Sequence, residues 1–200
     1  MIPSDLITMF KQQWLSVGGN FHQAADPLTA REILINLGRQ CHPRPAAVED
    51  RPLIRQLRVN ETLAELGIEV LSPSGAWGPH PEILPGAEER RGLAEAGLGI
   101  TVADYALADS GTLVILAGPE TRRSFSLLPP VHLALVPAAN ILPDLDALFK
   151  LLGQNQGPVN QMGQVMTFIT GPSKTGDIEF NLVMGVHGPG RTEVIVTTWT

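Results

Sequence analysis

The sequence predicts an α/β fold: a single three-layer α/β/α domain with a mostly parallel sheet and helices on both faces. Three observations support this prediction. Apolar residues recur at helical spacing up to Gly67 and are followed by the strand-like alternation of residues 68–71. Two apolar runs, 113–116 and 131–136, are unbroken, which is typical of strands at the centre of a sheet. A third run, 165–169, leads into a Gly-Pro loop and then a helix-like pattern.

The first third of the chain contributes helices and short strands. The predicted elements are a helix from Ser4 or Asp5 to Gly18-Gly19, a helix capped by Thr29 and ending before the Pro43–Pro45 break, a strand at 46–48, a helix from Pro52 to Gly67 and a strand at 68–71. In the first helix, Leu6, Met9, Phe10 and Trp14 form an apolar stripe that should face the core. We therefore predict that residues 1–45 form an N-terminal helical segment, which belongs to one domain spanning 1–200.

Residues 72–86 interrupt this pattern with four prolines and three glycines around Trp77 and His80. Such a composition excludes regular structure and indicates a linker, or alternatively a loop that binds a partner. The elements predicted beyond it are helices at 88–96, 120–127 and 143–152, strands at 100–102, 113–116 and 131–136, and a closing strand at 193–199.

Composition limits the possible functions. A formal net charge of -6 and a pI near 5.3, with no basic cluster, argue against nucleic acid as a partner. Cys41 is the only cysteine, so this chain alone can form neither an internal disulfide nor a thiolate-held iron–sulfur cluster. With neither a basic leader nor an apolar run of membrane-spanning length, we expect a cytoplasmic protein with no membrane span.

The loop after the run 165–169 is the first candidate ligand site. Gly171, Ser173, Lys174 and Thr175 could supply backbone and side-chain donors to an anion at the start of the predicted helix. It is not a nucleotide P-loop, because Ser173 precedes the lysine where that motif requires glycine. Asp177 and Glu179, in the first turn of that helix, would instead stabilise the helix dipole. This loop is therefore interpreted either as an anion site or as a capped helix start.

A second candidate loop comprises Asp109, Ser110, Gly111 and Thr112, which stand before the buried run 113–116. These residues suit a tight turn, with or without a ligand. His187, with Asp177, Glu179 and His132, could act as an acid or base, but none of these residues has metal-ligand spacing, so no metal site is expected.

Two blocks of the second half resemble the LUD-domain family, in particular its lactate-utilisation protein C members. One block is TGPSKTGDIE followed by LVMGVHGP, at 170–179 and 182–189. The other spans 96–114, containing ADSGTLV, and continues with RSFSLLPPVH at 123–132. The family usually has Arg at Lys174, Ala at Gly176 and often Glu-Thr at Asp109-Ser110.

The resemblance implies the fold shared with glucosamine-phosphate deaminases, ribose-phosphate isomerases and CoA transferases (NagB/RpiA/CoA-transferase-like). It also implies an accessory subunit of an L-lactate utilisation system, which oxidises lactate to pyruvate together with separate iron–sulfur proteins. The iron–sulfur clusters would belong to those partners and no cofactor to this chain. The alternative is a stand-alone enzyme or binding protein for a small phosphorylated or CoA-linked metabolite, held by Thr112, Ser173, Lys174 and Thr175. Catalytic residues are not identified by either hypothesis.

Overall fold

The computed structural model describes residues 4–41, 44–71, 87–116, 122–154, 165–176 and 182–199. The elements of its first half are α1 (Ser4–Ser16), β1 (Asn20–Ala24), α2 (Pro27–Cys41), β2 (Ala46–Val48), α3 (Pro52–Gln56), α4 (Val59–Glu65) and β3 (Val70–Leu71). The predicted irregular stretch at 72–86 lies outside the described residues.

The second half alternates strands with short helices. Its elements are α5 (Ala87–Glu95), β4 (Leu98–Val102), β5 (Tyr105–Leu107), β6 (Thr112–Leu116), α6 (Arg123–Leu127), β7 (Val131–Pro137), a 3-10 turn (Ala138–Asn140), β8 (Ile141–Leu142), α7 (Leu145–Gln154), β9 (Met166–Ile169), β10 (Lys174–Gly176), β11 (Leu182–Met184) and β12 (Arg191–Thr197). The predicted elements at 46–48, 88–96, 131–136, 143–152 and 193–199 are confirmed to within a few residues.

The central sheet has six described strands in the order β1-β12-β7-β4-β2-β3, and every neighbouring pair is parallel. This confirms the predicted α/β class with a mostly parallel sheet. β7 and β12 lie in the middle, and their inner residues are buried on both faces, which explains their unbroken apolar character.

The prediction that 113–116 also lies at the centre of this sheet is wrong. β6 belongs to a second sheet, in the order β8-β5-β6-β9, where it pairs antiparallel with both β5 and β9. Leu113 and Ile115 point into a core shared with α1, whereas Val114 points toward Leu148 of α7. An unbroken apolar run indicates a strand that is buried on both faces, but it does not indicate which sheet contains that strand.

The first turn of the helix predicted after the Gly171 loop falls on residues 177–181, which lie outside the described residues. On either side of them, β10 and β11 pair antiparallel, with Lys174 opposite Met184 and Thr175 opposite Val183. The continuation of the helical pattern into residues 182–184 is therefore wrong, because these residues form a strand; it rested on one i, i+4 pair, which is weak support.

Three boundaries in the first third differ from prediction. α2 begins at Pro27, because Asp26 rather than Thr29 caps it: the Thr29 backbone N donates to Asp26 Oδ1 at 2.8 Å. The helix predicted from Pro52 to Gly67 is two helices, separated where Arg58 adopts a left-handed backbone conformation with φ of 51°. The strand β1 was not predicted from the sequence, so the described part of segment 1–45 is helix–strand–helix.

The layers follow from the buried clusters. One face of the central sheet is covered by α2, α3 and α4, with Leu34, Ile54 and Leu63 in a single core. The other face is covered by α1 and the second sheet around Phe10 and Trp14, and by α5 and α6. Among the described helices, none has both the length and the apolar character needed to cross a membrane.

Candidate functional site

The two loops proposed from the sequence meet each other. Thr112 Oγ1 and Thr170 Oγ1 are hydrogen-bonded at 2.8 Å, although 58 positions separate them in the chain. The antiparallel pairing of β6 with β9 explains the meeting, since β6 starts where β9 ends. This hydrogen bond brings the start of β6 and the beginning of the Gly171 loop into direct contact.

Both loops pack against the C-terminal end of α1. Gly111 has a φ of +61°, and a Cβ atom there would lie 2.6 Å from the backbone nitrogen of Trp14. Gly171 has a φ of +76°, and its Cβ would lie 2.8 Å from the carbonyl oxygen of Val17. Both positions need glycine for its backbone conformation and for the close approach of another backbone.

Lys174 belongs to the same arrangement. Its ammonium group donates to the carbonyl oxygen of Val17 at 2.6 Å, just before Gly18, which ends the helix with a φ of +94°. A lysine at this position satisfies a free carbonyl and faces the negative end of the helix dipole. In this structure Lys174 acts as a C-terminal cap of α1, and its role toward an external anion stays a prediction.

The remaining hydroxyl groups of the loops are partly accessible. Ser110, Ser173 and Thr175 are half-buried, and Asp109 is exposed. The backbone of Ser173 is fixed on both sides, because its N–H donates to Pro189 at 2.8 Å and its carbonyl accepts from Gly185 at 3.0 Å. The backbone of Ser173 is therefore held beside Gly188, where a Cβ atom would lie 3.7 Å from Ser173 Oγ.

The histidines grouped by the sequence occupy different environments. His187 is exposed in the loop after β11, whereas His132 is completely buried on β7, with Nε2 2.8 Å from Thr101 Oγ1. Burial lowers the pKa of His132 to about 4, so it is neutral at pH 7. Asp177 and Glu179 lie outside the described residues. Within the described part of the chain, no group of three or more His, Cys, Asp or Glu side chains could hold a metal ion.

A polar cluster that the sequence reading missed lies at the carboxyl end of the parallel strands. Glu49 follows β2 directly and Asp104 follows β4. Arg51 donates to Asp104 Oδ1 at 2.8 Å, and the Leu116 backbone N–H donates to Asp104 Oδ2 at 2.7 Å. The carboxyl edge of an open α/β sheet is where ligands usually bind. A charged residue one or two positions after the buried strands β2 and β4 was the signal that could have revealed this cluster.

Glu49 is the most perturbed carboxyl group of this cluster. Its side chain is 1% exposed, and Oε2 accepts a hydrogen bond from the backbone of Val102 at 2.9 Å. Burial raises its pKa from 4.5 to about 8, despite the opposing effects of the Val102 hydrogen bond and of Arg51; Asp104 raises it further. A carboxyl group with such a pKa can hold or release a proton near neutral pH, the property expected of an acid–base group.

A second missed cluster surrounds Glu193 at the amino end of the sheet. Its buried carboxylate accepts hydrogen bonds from Asn20 Nδ2 at 2.9 Å and from Arg191 Nε, and it lies 2.8 Å from His22 Nε2. Burial alone would raise the pKa of Glu193, but these hydrogen bonds and the positive charges outweigh burial and lower it. The carboxylate is well satisfied, so this cluster ties β1 to β12 and offers no free group for chemistry.

The chain belongs to the LUD domain family, whose sequence model matches residues 7–197. The fold agrees, because a crystal structure of a DUF162 family protein from Deinococcus radiodurans superposes with a TM-score of 0.60 over 97% of both chains, at 16% sequence identity.

Several similar proteins carry the name Lactate utilization protein C. The one from Halalkalibacterium halodurans is 43% identical over 51% of this chain and 44% of its own length. The one from Bacillus subtilis is 36% identical over 56% of this chain and 47% of its own length, and the one from Geobacillus kaustophilus is 28% identical over 97% and 79%. The chain spans about half the length of the first relatives that it matches.

Proposed function

We propose that this protein is an accessory subunit of an L-lactate utilisation system, in which lactate is oxidised to pyruvate together with separate iron–sulfur proteins. The observation that carries the proposal is the match of the LUD domain over residues 7–197, together with relatives named for lactate utilisation. Each of the two sequence blocks contributes a described loop that packs against the end of α1, through Gly111 and Gly171.

The chemistry of the chain supports a division of labour with partners. Oxidation of lactate to pyruvate removes two electrons and two protons, which requires an electron acceptor. The single cysteine, Cys41, is half-buried at the end of α2, and one thiolate cannot hold an iron–sulfur cluster. An iron–sulfur cluster that accepts these electrons would therefore lie outside this chain, and the proposal assigns it to the partner proteins.

The surface also suits a subunit that contacts partners. Val183, Met184 and Val186, on β11 and in the loop after it, are each about half exposed, and so are Leu127 and Leu128 at the end of α6. Gly188 lies beside the carbonyl of Leu127, so the loop and the helix end adjoin. We call these five apolar side chains the hairpin patch. Exposed apolar side chains on adjoining segments are candidates for protein–protein contacts.

The alternative, a stand-alone protein for a phosphorylated or CoA-linked metabolite, has less support. It depends on Lys174 as the cation of the loop, and that ammonium group already donates to Val17 in this structure.

The proposal is tested in the organism that carries the gene. Deletion should abolish growth on L-lactate while leaving growth on pyruvate normal, and the tagged protein should co-purify with proteins that show the visible absorption of iron–sulfur clusters. Reintroduction of the intact gene is the control. Normal growth of the deletion strain on L-lactate, with no co-purifying iron–sulfur protein, would refute the proposal.

A further inference from the structure

Two buried side-chain atoms in the middle of the central sheet have no hydrogen-bond partner within the described part of the chain. His132 on β7 and Thr192 on β12 lie directly opposite each other in the parallel register, and they are 0% and 1% exposed. Neither His132 Nδ1 nor Thr192 Oγ1 has a hydrogen-bond partner among the described residues. Unpartnered buried polar atoms are rare in folded proteins, and two on neighbouring positions call for a common explanation.

The two side chains share one face of the sheet. Paired residues of a parallel sheet point the same way, and the alternate residues Ala134 and Val194 belong to the core that contains α1. The strands begin side by side, because Arg191 N–H donates to the Pro130 carbonyl at 3.2 Å.

The same end of the sheet adjoins the loop of Ser173. Gly188, three residues before Arg191, lies against Ser173 and near the Leu127 carbonyl. The chain segments that lead into β7 and β12 are thus adjacent to the half-buried Ser173 and to the edge of the hairpin patch.

We propose that His132 and Thr192 form a buried site for one hydroxyl group, which bridges His132 Nδ1 and Thr192 Oγ1. Adjacent strands are about 4.8 Å apart, and two hydrogen bonds that share one oxygen atom can span that separation.

A hydroxyl is the group that fits in either tautomer of the imidazole. His132 Nε2 either accepts from or donates to Thr101 Oγ1, which leaves Nδ1 as donor or acceptor respectively. A hydroxyl can both donate and accept, whereas a carbonyl oxygen or an ammonium group can do only one. A charged group is unsuited, because burial without an opposite charge is costly and the imidazole is neutral at pH 7.

Water and the hydroxyl of a small organic molecule share this chemistry. A buried water typically makes about three hydrogen bonds to otherwise unsatisfied groups. The proposal does not depend on the proposed role in lactate utilisation, because it follows from the two unpartnered atoms alone.

The test uses Thr192→Val, which keeps the shape of the side chain and removes its hydroxyl. If the site is occupied, the variant should melt about 2–4 °C below wild type and shift the ¹⁵N resonance of His132 Nδ1, because one bridge is lost. Thr197→Val is the matched control, since Thr197 is buried on the same strand but points to the opposite face. In the Thr197→Val variant, the ¹⁵N resonance of His132 Nδ1 should stay at its wild-type position. Thr192→Ser, which keeps the hydroxyl, should retain the wild-type resonance even if the valine variant folds poorly.

The source of the hydroxyl is distinguished by two further measurements on wild type. A long-lived water signal in oxygen-17 relaxation dispersion, absent in Thr192→Val, identifies water. A shift of His132 Nδ1 on titration with L-lactate but not with propionate, which lacks the hydroxyl, identifies an organic ligand. A Thr192→Val variant with an unchanged Nδ1 resonance and an equal or higher melting temperature would overturn the proposal, because an unpaired hydroxyl is then being removed at no cost.

Discussion

At the scale of single residues, Lys174 shows how a residue that looks like a ligand donor can serve the fold. The sequence places it in a Gly-Pro loop among small polar residues, a composition shared by anion sites and tight turns. What the sequence does not show is that this loop folds back on α1, 157 positions earlier, where a free helix carbonyl needs a donor. The pairing depends on long-range topology, so no local pattern could have indicated it.

Replacement of Lys174 separates the two roles. Lys174→Ala should lower stability by about 0.5–1 kcal/mol, because the cap of α1 is lost at an exposed site. Lys150→Ala, at an exposed position on α7, is the matched control and should change stability less. Thermal melting gives the first comparison, and calorimetric titration with lactate, pyruvate, phosphate and CoA gives the second. Unchanged melting with weakened binding would assign Lys174 to an anion site after all.

Glu49 predicts a pH dependence of stability. Between pH 4.5 and about 8 the carboxyl group is ionised in the unfolded chain but protonated in the folded one. The folded state then binds the extra proton, so the free energy of unfolding falls as pH rises, by up to roughly 1.4 kcal/mol per pH unit. Toward pH 8 His132 is neutral in both states and no longer opposes this trend.

Glu49→Gln should therefore flatten the stability profile between pH 6.5 and 8 and make the protein more stable than wild type at pH 8. Urea unfolding at several pH values measures this directly. Glu65→Gln, on the exposed side of α4, is the control and should follow wild type. Parallel profiles for wild type and Glu49→Gln would show that the buried carboxyl group does not titrate in this range.

At the scale of elements, the sequence predicted best where the hydrophobic pattern is long or has one meaning. β7 and β12 carry five or more consecutive buried residues, and α1 has a clear start and a double-glycine end. The β10–β11 hairpin was missed because its strands are only three residues long and are largely exposed, so no apolar alternation identifies them. Likewise, the candidate loops were found, but their shared anchor on α1 was not.

That anchor predicts a strong effect of Gly111→Ala. The new Cβ would meet the backbone of Trp14 at 2.6 Å, and the residue would keep a left-handed backbone conformation. We expect a loss of about 2–4 kcal/mol, since neither the helix backbone nor the turn can move freely. Gly176→Ala is the control, because nothing lies within 4 Å of its Cβ position and the site is exposed. Urea denaturation should place the Gly176 variant near wild type; equal stability of Gly111→Ala would show that the loop is not held against α1.

At the scale of the whole molecule, the parallel sheet separates two kinds of polar group. The carboxyl edge holds Glu49 and the Asp104–Arg51 ion pair, while the amino edge holds the satisfied Glu193 cluster. The loops of the family signature blocks instead meet at the end of α1, on the face that carries the second sheet. The molecule thus has a perturbed carboxyl group at one end and an exposed apolar surface beside its signature loops, and these two regions are suited to different tasks.

If the hairpin patch binds the iron–sulfur partners, a charge placed there should disrupt assembly without unfolding the subunit. Val186→Asp changes a side chain that is 52% exposed, so its effect on stability should stay within about 0.5 kcal/mol. A buried charge at the interface should instead weaken association by at least tenfold, because it would be desolvated without a partner. Leu28→Asp, 71% exposed on α2 across the central sheet, is the matched control. Affinity purification of each variant, with growth on L-lactate, measures the effect. Co-purification and growth equal to wild type for Val186→Asp, in a correctly folded protein, would exclude this surface as the partner contact.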